Sequence, residues 1–192
     1  MRKPRRKFGA TQKDRLFLAC LPDAGTAARI LTLAENLQAR HAMGGTLTRP
    51  EHLHVTLFHL GDWIALPDQI VAAAMMAAQQ IRAAPFDVAF DKARSFRNRT
   101  GVYPFVLTGP DRGTSLQAFH RVLGAALKTQ GLGSAVHGEF QPHVTLLRDT
   151  ARIAPQAIPP ITWRVQDFVL IHSLLGQTKH VHLARWDIKE AP

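Results

Sequence analysis

"HLHVTLFHLG", residues 52–61, and "QPHVTLLRD", residues 141–149, carry the same tetrapeptide, His-Val-Thr-Leu, at 54–57 and again at 143–146. Side chains alternate along a strand. A strand through the first copy therefore puts His54 and Thr56 on one face and Val55 and Leu57 on the other. The second copy does the same with His143 and Thr145 against Val144 and Leu146. Each copy presents an imidazole beside a hydroxyl and turns two aliphatic side chains inward, beneath a helix.

The repeat is wider than the tetrapeptide. "PDAGT" at 22–26 matches "PDRGT" at 110–114. Each follows a predicted strand (residues 16–21 and 102–107) and opens a predicted helix. From Pro22 to His54 is 32 positions, and from Pro110 to His143 is 33. Ile30, Leu31, Ala34 and Leu37 share one face of the first helix, which Gly44-Gly45 stops. Leu116, Phe119, Leu123 and Leu127 share one face of the second, expected over 112–130, with Gly131 and Gly133 at its end. Strand, PDxGT, helix, glycine stop and HVTL thus recur in one order. Such a duplication predicts two lobes related by a pseudo-twofold axis.

The remaining segments read as follows. Residues 51–60 and 140–147 are strands carrying the two motifs. Pro67 opens a further helix with Ile70, Ala74, Ala77 and Ile81 in register. Residues 86–96, 163–174 and 180–188 are strands, the last two joined by a turn at "GQT". "IAPQAIPPI" at 153–161 reads as a proline-rich surface loop. No low-complexity linker divides the chain. Residues 1–13 form a basic tail expected to be disordered, and 14–192 a single bilobal domain.

The formal charge is +10, from 24 Lys+Arg against 14 Asp+Glu. A basic balance of this size points to a polyanionic partner, foremost nucleic acid. Arg2, Lys3, Arg5, Arg6 and Lys7 supply half of it; a solvated tail is the plain reading and RNA contact the sharper one. The single cysteine, Cys20, excludes an internal disulfide and a cysteine-rich metal site. The apolar run at 16–21 is too short for a signal-peptide core and ends at Pro22-Asp23. No apolar run reaches the length of a membrane span. The expectation is a cytoplasmic, soluble protein with no membrane partner, and a monomer.

Two imidazoles and two hydroxyls around one cleft suit phosphodiester chemistry without a metal. One imidazole takes a proton from water while the other protonates the leaving oxygen, since histidine titrates near neutral pH. Thr56 and Thr145 can donate to non-bridging phosphate oxygens, and Arg148, five residues after His143, can add a charged donor. The two reactive ring nitrogens are then expected roughly 5–8 Å apart, one hydrogen-bond reach on either side of a phosphate. A lone His-x-Thr carries little information, and Arg148 taken alone reads as a solvated arginine. His52, His59, His172, His180 and His182 also fall on predicted strands and receive no role. His52 shares a strand face with His54, but no third ligand has metal-site spacing.

Together the paired motifs and their flanks ("RLFLACLP", "RPEHLHVTLFHLG", "SFRNRTGVYPFVLTG", "FQPHVTLLRD" and the segment from Trp163) resemble the two-histidine (2H) phosphoesterase superfamily. They resemble most the bacterial RNA 2′,3′-cyclic phosphodiesterases, also called 2′-5′ RNA ligases. The resemblance covers residues 14–189 and leaves the basic tail outside. It implies an α+β bilobal fold, with antiparallel sheets lining a central cleft and helices outside. It implies opening of RNA 2′,3′-cyclic phosphate ends to 2′-phosphomonoesters, weak reversible 2′-5′ ligation, and no metal or nucleotide cofactor. By the resemblance His54 is the acid, His143 the base, and Thr56, Thr145 and Arg148 hold the phosphate. Two other expectations compete with it. One keeps the mechanism on a small nucleotide, such as ADP-ribose cyclic phosphate or 2′-5′ oligoadenylate. The other is a non-catalytic module that binds RNA ends.

Overall fold

The computed structural model describes residues 13–110 and 114–189. The basic tail, apart from Lys13, lies outside the described residues, as do Asp111, Arg112 and Gly113 of the second PDxGT.

Eight strands form one sheet: β1 (Asp14–Cys20), β2 (Val55–Trp63), β3 (Phe86–Ser95), β4 (Tyr103–Thr108), β5 (His143–Asp149), β6 (Gln156–Val165), β7 (Asp167–Leu174) and β8 (Lys179–Asp187). Their order is β6-β3-β4-β5-β2-β1-β7-β8, and every pairing is antiparallel. Three helices, α1 (Ala24–Arg40), α2 (Asp68–Gln79) and α3 (Ser115–Thr129), complete an α+β architecture. One large apolar cluster joins them to the sheet. It holds Leu16, Leu18, Val55, Leu57, Val144 and Leu146 from the strands, with Ile30, Leu37, Leu123 and Leu127 from the helices. All these side chains are nearly or fully buried, as the alternation through both motifs requires.

The centre of the sheet contains the symmetry that the repeat implies. β2 and β5 meet at a single pair, Val55 opposite Val144. These are the second residues of the two motifs. Equivalent residues facing each other across an antiparallel pair define a local twofold axis between them. The axis relates β2-β1-β7-β8 to β5-β4-β3-β6. The lobes are not the two halves of the sequence: β3 precedes β4 yet lies in the second lobe, and β7 and β8 return to the first. Only strand–helix–strand, β1-α1-β2 and β4-α3-β5, is repeated contiguously.

Several boundaries differ from expectation. The first motif strand begins at Val55, because Pro50 starts a 3-10 turn over Pro50–His52. His52 is therefore on that turn and does not share a strand face with His54. α1 ends at Arg40, with Ala42 (φ 48°) taking the left-handed position ahead of Gly44. α3 begins at Ser115 rather than near 112, because Thr114 caps it in a reciprocal box with Gln117, whereas Asp23 caps α1. From Gln156 on the proline-rich stretch is no loop: Pro159 and Pro160 lie in β6, an edge strand, where a missing N–H can face solvent. The expected single strand over 163–174 is two, β6 and β7, parted at Gln166 and placed in opposite lobes.

Candidate active site

His54 and His143 line one cleft of about 460 Å³ together with Thr56, Thr145 and Arg148. The structure thus brings all five residues singled out in the sequence to one place. In the register set by Val55 and Val144, His54 faces Thr145 and Thr56 faces His143. The two histidines are then diagonal neighbours, whose Cα atoms are roughly 7–8 Å apart in a regular sheet.

Each imidazole is held alike. His54 Nδ1 donates to the His52 carbonyl at 2.7 Å, and His143 Nδ1 donates to the Gln141 carbonyl at 2.8 Å. A carbonyl can only accept, so each Nδ1 carries the proton and each Nε2 is left for the cleft. Each ring also packs on a phenylalanine. Phe17 of β1 lies 4.9 Å from His54 and Phe96, just past β3, lies 4.9 Å from His143, centroid to centroid.

Burial lowers the pKa of both rings below the ordinary histidine value, opposed in each case by the carbonyl bond. The positive charge of His143 lowers His54 further, and Arg148 does the same to His143. The two imidazoles are therefore close enough to feel one another. His180 feels the same field: its ring is 5.7 Å from His54 and 4.4 Å from His52, and its pKa is lowered to about 4, first by burial and then by the charges of His52 and His54.

A bulge explains Arg148. Simple alternation from His143 would place Leu147 on the cleft face. Instead Thr145 pairs with Val106 and Leu147 with Phe105, so Leu146 is an extra residue. Leu146 and Leu147 are both buried, and Arg148 returns to the histidine face. The first lobe repeats the device: Thr56 pairs with Ala19 and Phe58 with Leu18, leaving Leu57 extra. His59 is thereby the counterpart of Arg148, five residues after its motif histidine, and it too lines the cleft. Its Nε2 meets Asp62 at 2.8 Å, and the same carboxylate takes a two-pronged bond from Arg15 at 2.8 and 2.7 Å. The sequence reading gave His59 and Phe17 no part. Continuing the alignment of "HVTLFH" with "HVTLLR" by two residues pairs His59 with Arg148, but nothing local marks Phe17.

No group of three or more His, Cys, Asp or Glu among the described residues has the geometry to hold a metal ion. No described helix is long and apolar enough to cross a membrane.

An antiparallel sheet with two facing His-x-Thr motifs defines the two-histidine phosphoesterase class, and residues 22–177 match the 2′-5′ RNA ligase superfamily. The chain belongs to that family. It is 28% identical over 144 residues, 73% of this chain and 78% of the relative, to the RNA 2′,3′-cyclic phosphodiesterase of Escherichia coli K12. The crystal structure of E. coli LigT complexed with 3′-AMP superposes with a TM-score of 0.65 at 25% identity, covering 93% of this chain and 99% of that one. TT0787 of Thermus thermophilus shares the fold, with a TM-score of 0.73 at 20% identity over 92% and 98% of the two chains.

Proposed function

We propose that this protein hydrolyses 2′,3′-cyclic phosphate ends of RNA to 2′-phosphomonoesters, using two histidines and no metal. The observation that carries the proposal is the matched pair of imidazoles: each Nδ1 is bound to a carbonyl, which leaves Nε2 for chemistry, and both rings line the same cleft. In the reaction His143 Nε2 takes a proton from water, and the water oxygen bonds to phosphorus. The bond from phosphorus to O3′ breaks, and His54 Nε2 gives its proton to that oxygen. One proton is gained and one lost, and the phosphate remains on O2′. Thr56, Thr145 and Arg148 hold the non-bridging oxygens, where charge builds up. Likeness to the E. coli RNA 2′,3′-cyclic phosphodiesterase supports the substrate class. The same step with a 5′-hydroxyl in place of water forms a 2′-5′ linkage as P–O3′ breaks, and is the basis for weak, reversible 2′-5′ joining.

The test is an oligoribonucleotide with a 2′,3′-cyclic phosphate end, its product assigned as the 2′- or 3′-phosphate. We expect the 2′-phosphate, at a rate unchanged by excess EDTA. Binding without turnover would leave an RNA-end binder, and turnover of ADP-ribose cyclic phosphate alone would leave a small-nucleotide enzyme. Activity lost to chelation and restored by a divalent metal would sink the metal-free mechanism.

A further inference from the structure

A second groove, larger than the catalytic cleft at about 690 Å³, is lined by Phe96. One wall is the segment Arg94, Ser95, Phe96 and Arg97, and the other runs from Arg152 to Pro155. The walls are tied together: Ser95 N–H donates to the Ile153 carbonyl at 2.9 Å, and Ile153 N–H donates to Ser95 Oγ at 3.0 Å. The groove is thus built in advance of any ligand.

Its chemistry is one-sided. Arg94, Arg97 and Arg152 line it and no lining residue is acidic. Among the described residues none of the three arginines has a carboxylate partner, and Arg94 Nε is buried with no acceptor. The Arg94 guanidinium lies 5.1 Å from the centre of the Phe96 ring, which is half-buried. An aromatic face beside uncompensated arginines is what successive bases and phosphates of a single strand require. The groove also adjoins the catalytic pair. Phe96 packs edge-on against His143, and Gln141, whose carbonyl holds His143, lines both this groove and a neighbouring pocket that reaches Thr56 and His143.

We propose that this groove binds a segment of single-stranded RNA, with a base stacked on Phe96 and backbone phosphates against Arg94, Arg97 and Arg152, so that the strand enters the cleft past His143. The inference rests on the hydrolase reading for its meaning, but its binding test does not. Two strands have this chemistry: the body of the chain bearing the cyclic phosphate, and a second chain offering a 5′-hydroxyl.

The experiment compares the parent with Arg97→Ala/Arg152→Ala and with a control, Arg40→Ala/Lys128→Ala. The control removes the same charge from the exposed ends of α1 and α3. Fluorescence anisotropy with a labelled hexaribonucleotide lacking a cyclic phosphate reads binding. The groove variant should bind at least several-fold more weakly. The slope of log affinity against log salt should become shallower by about 1.4, at about 0.7 per lost phosphate contact on a single strand. Equal affinity and slope in the groove and control variants would overturn the proposal. Kinetics then assign the strand. If the groove holds the substrate's own body, kcat/KM falls for a hexanucleotide with a cyclic end and is unchanged for 2′,3′-cyclic cytidine monophosphate. If it holds the second chain, the cyclic hexanucleotide is unaffected and inhibition by a 5′-hydroxyl hexanucleotide is relieved. Should the parent turn over neither cyclic substrate, the hydrolase reading fails while the anisotropy still decides the groove.

Discussion

His54 and His143 differ from the other histidines in having one ring nitrogen tied to a neighbouring carbonyl and the other left to the cleft beside a threonine. Proton transfer by a placed side chain contributes about 10²–10⁴-fold. His54→Ala and His143→Ala should each lower kcat/KM by that order, and near-parental turnover in either would remove it from the mechanism. Thr56→Ala and Thr145→Ala each delete one donor among several, so a loss of about tenfold is expected. The pH profile should be a bell, because one ring must be neutral and the other protonated. Burial pushes both rings below the ordinary value near 6.5, aided at His54 by the charge of His143 and at His143 by that of Arg148. The base therefore stays competent to lower pH, while the acid loses its proton earlier as pH rises. The maximum of kcat/KM should then lie below about pH 6.5. A maximum near pH 8 would mean that another group carries the proton.

At the scale of elements, the bulges and a backbone contact aim the site. Gly45 N–H donates to Asp149 Oδ2 at 2.7 Å, and Gln38 Nε2 donates to the Gly45 carbonyl at 2.6 Å. A Cβ on Gly45 would collide with the Arg148 carbonyl oxygen. Gly45→Ala should therefore cost about 1–3 kcal/mol of stability, as overpacking does, and raise KM by pushing Arg148 from the cleft. Urea unfolding and steady-state kinetics check the two effects, and a fully stable variant with unchanged KM would refute the contact. These elements also mark the limit of what the sequence discloses. The motif faces were legible because alternation fixes them: Val55, Leu57, Val144 and Leu146 are buried and their neighbours line the cleft. A bulge breaks alternation without any turn residue to signal it. His59 was missed for that reason, and Arg148 stood only on its spacing from His143 and on resemblance. β6 was hidden by two prolines that an edge strand tolerates. The break at Gln166 has no glycine or proline beside it, so β6 and β7 read as one strand. Phe96 and Arg152 come to line one groove through the pairing of Ser95 with Ile153, 58 residues apart in sequence, which no local pattern carries.

At the scale of the whole molecule, gathering many histidines around one sheet has a cost in acid. Burial lowers His54, His143, His120, His180 and His182, with His120 and His180 lowered to about 4. Each binds a proton more readily unfolded than folded, so the unfolded state holds more protons below about pH 6.5. Stability is therefore fully present above that pH and falls as pH drops toward the folded values. The urea midpoint should be lower at pH 5 than at pH 7, and an unchanged midpoint would contradict the burial of these rings.

The duplicated arrangement makes the sharpest prediction. Two lobes, each with His, Thr and a basic side chain five residues on, could in principle be two sites. The Val55–Val144 pair argues otherwise, since it joins the two motifs at the centre of the sheet, and both histidines and both threonines line one cleft. Residues that act on one phosphate as a unit do not contribute additively. His54→Ala/His143→Ala should therefore be about as slow as the slower single variant, where independent contributions of about 10²–10⁴ each would multiply. Independent sites predict a third outcome, in which each single variant keeps about half of the parental rate. Measuring kcat for the two singles and the double on one cyclic-phosphate substrate separates the three. Half-activity in both singles would overturn the shared cleft, because two imidazoles that line one cleft and act on one phosphate cannot each sustain half of the turnover alone.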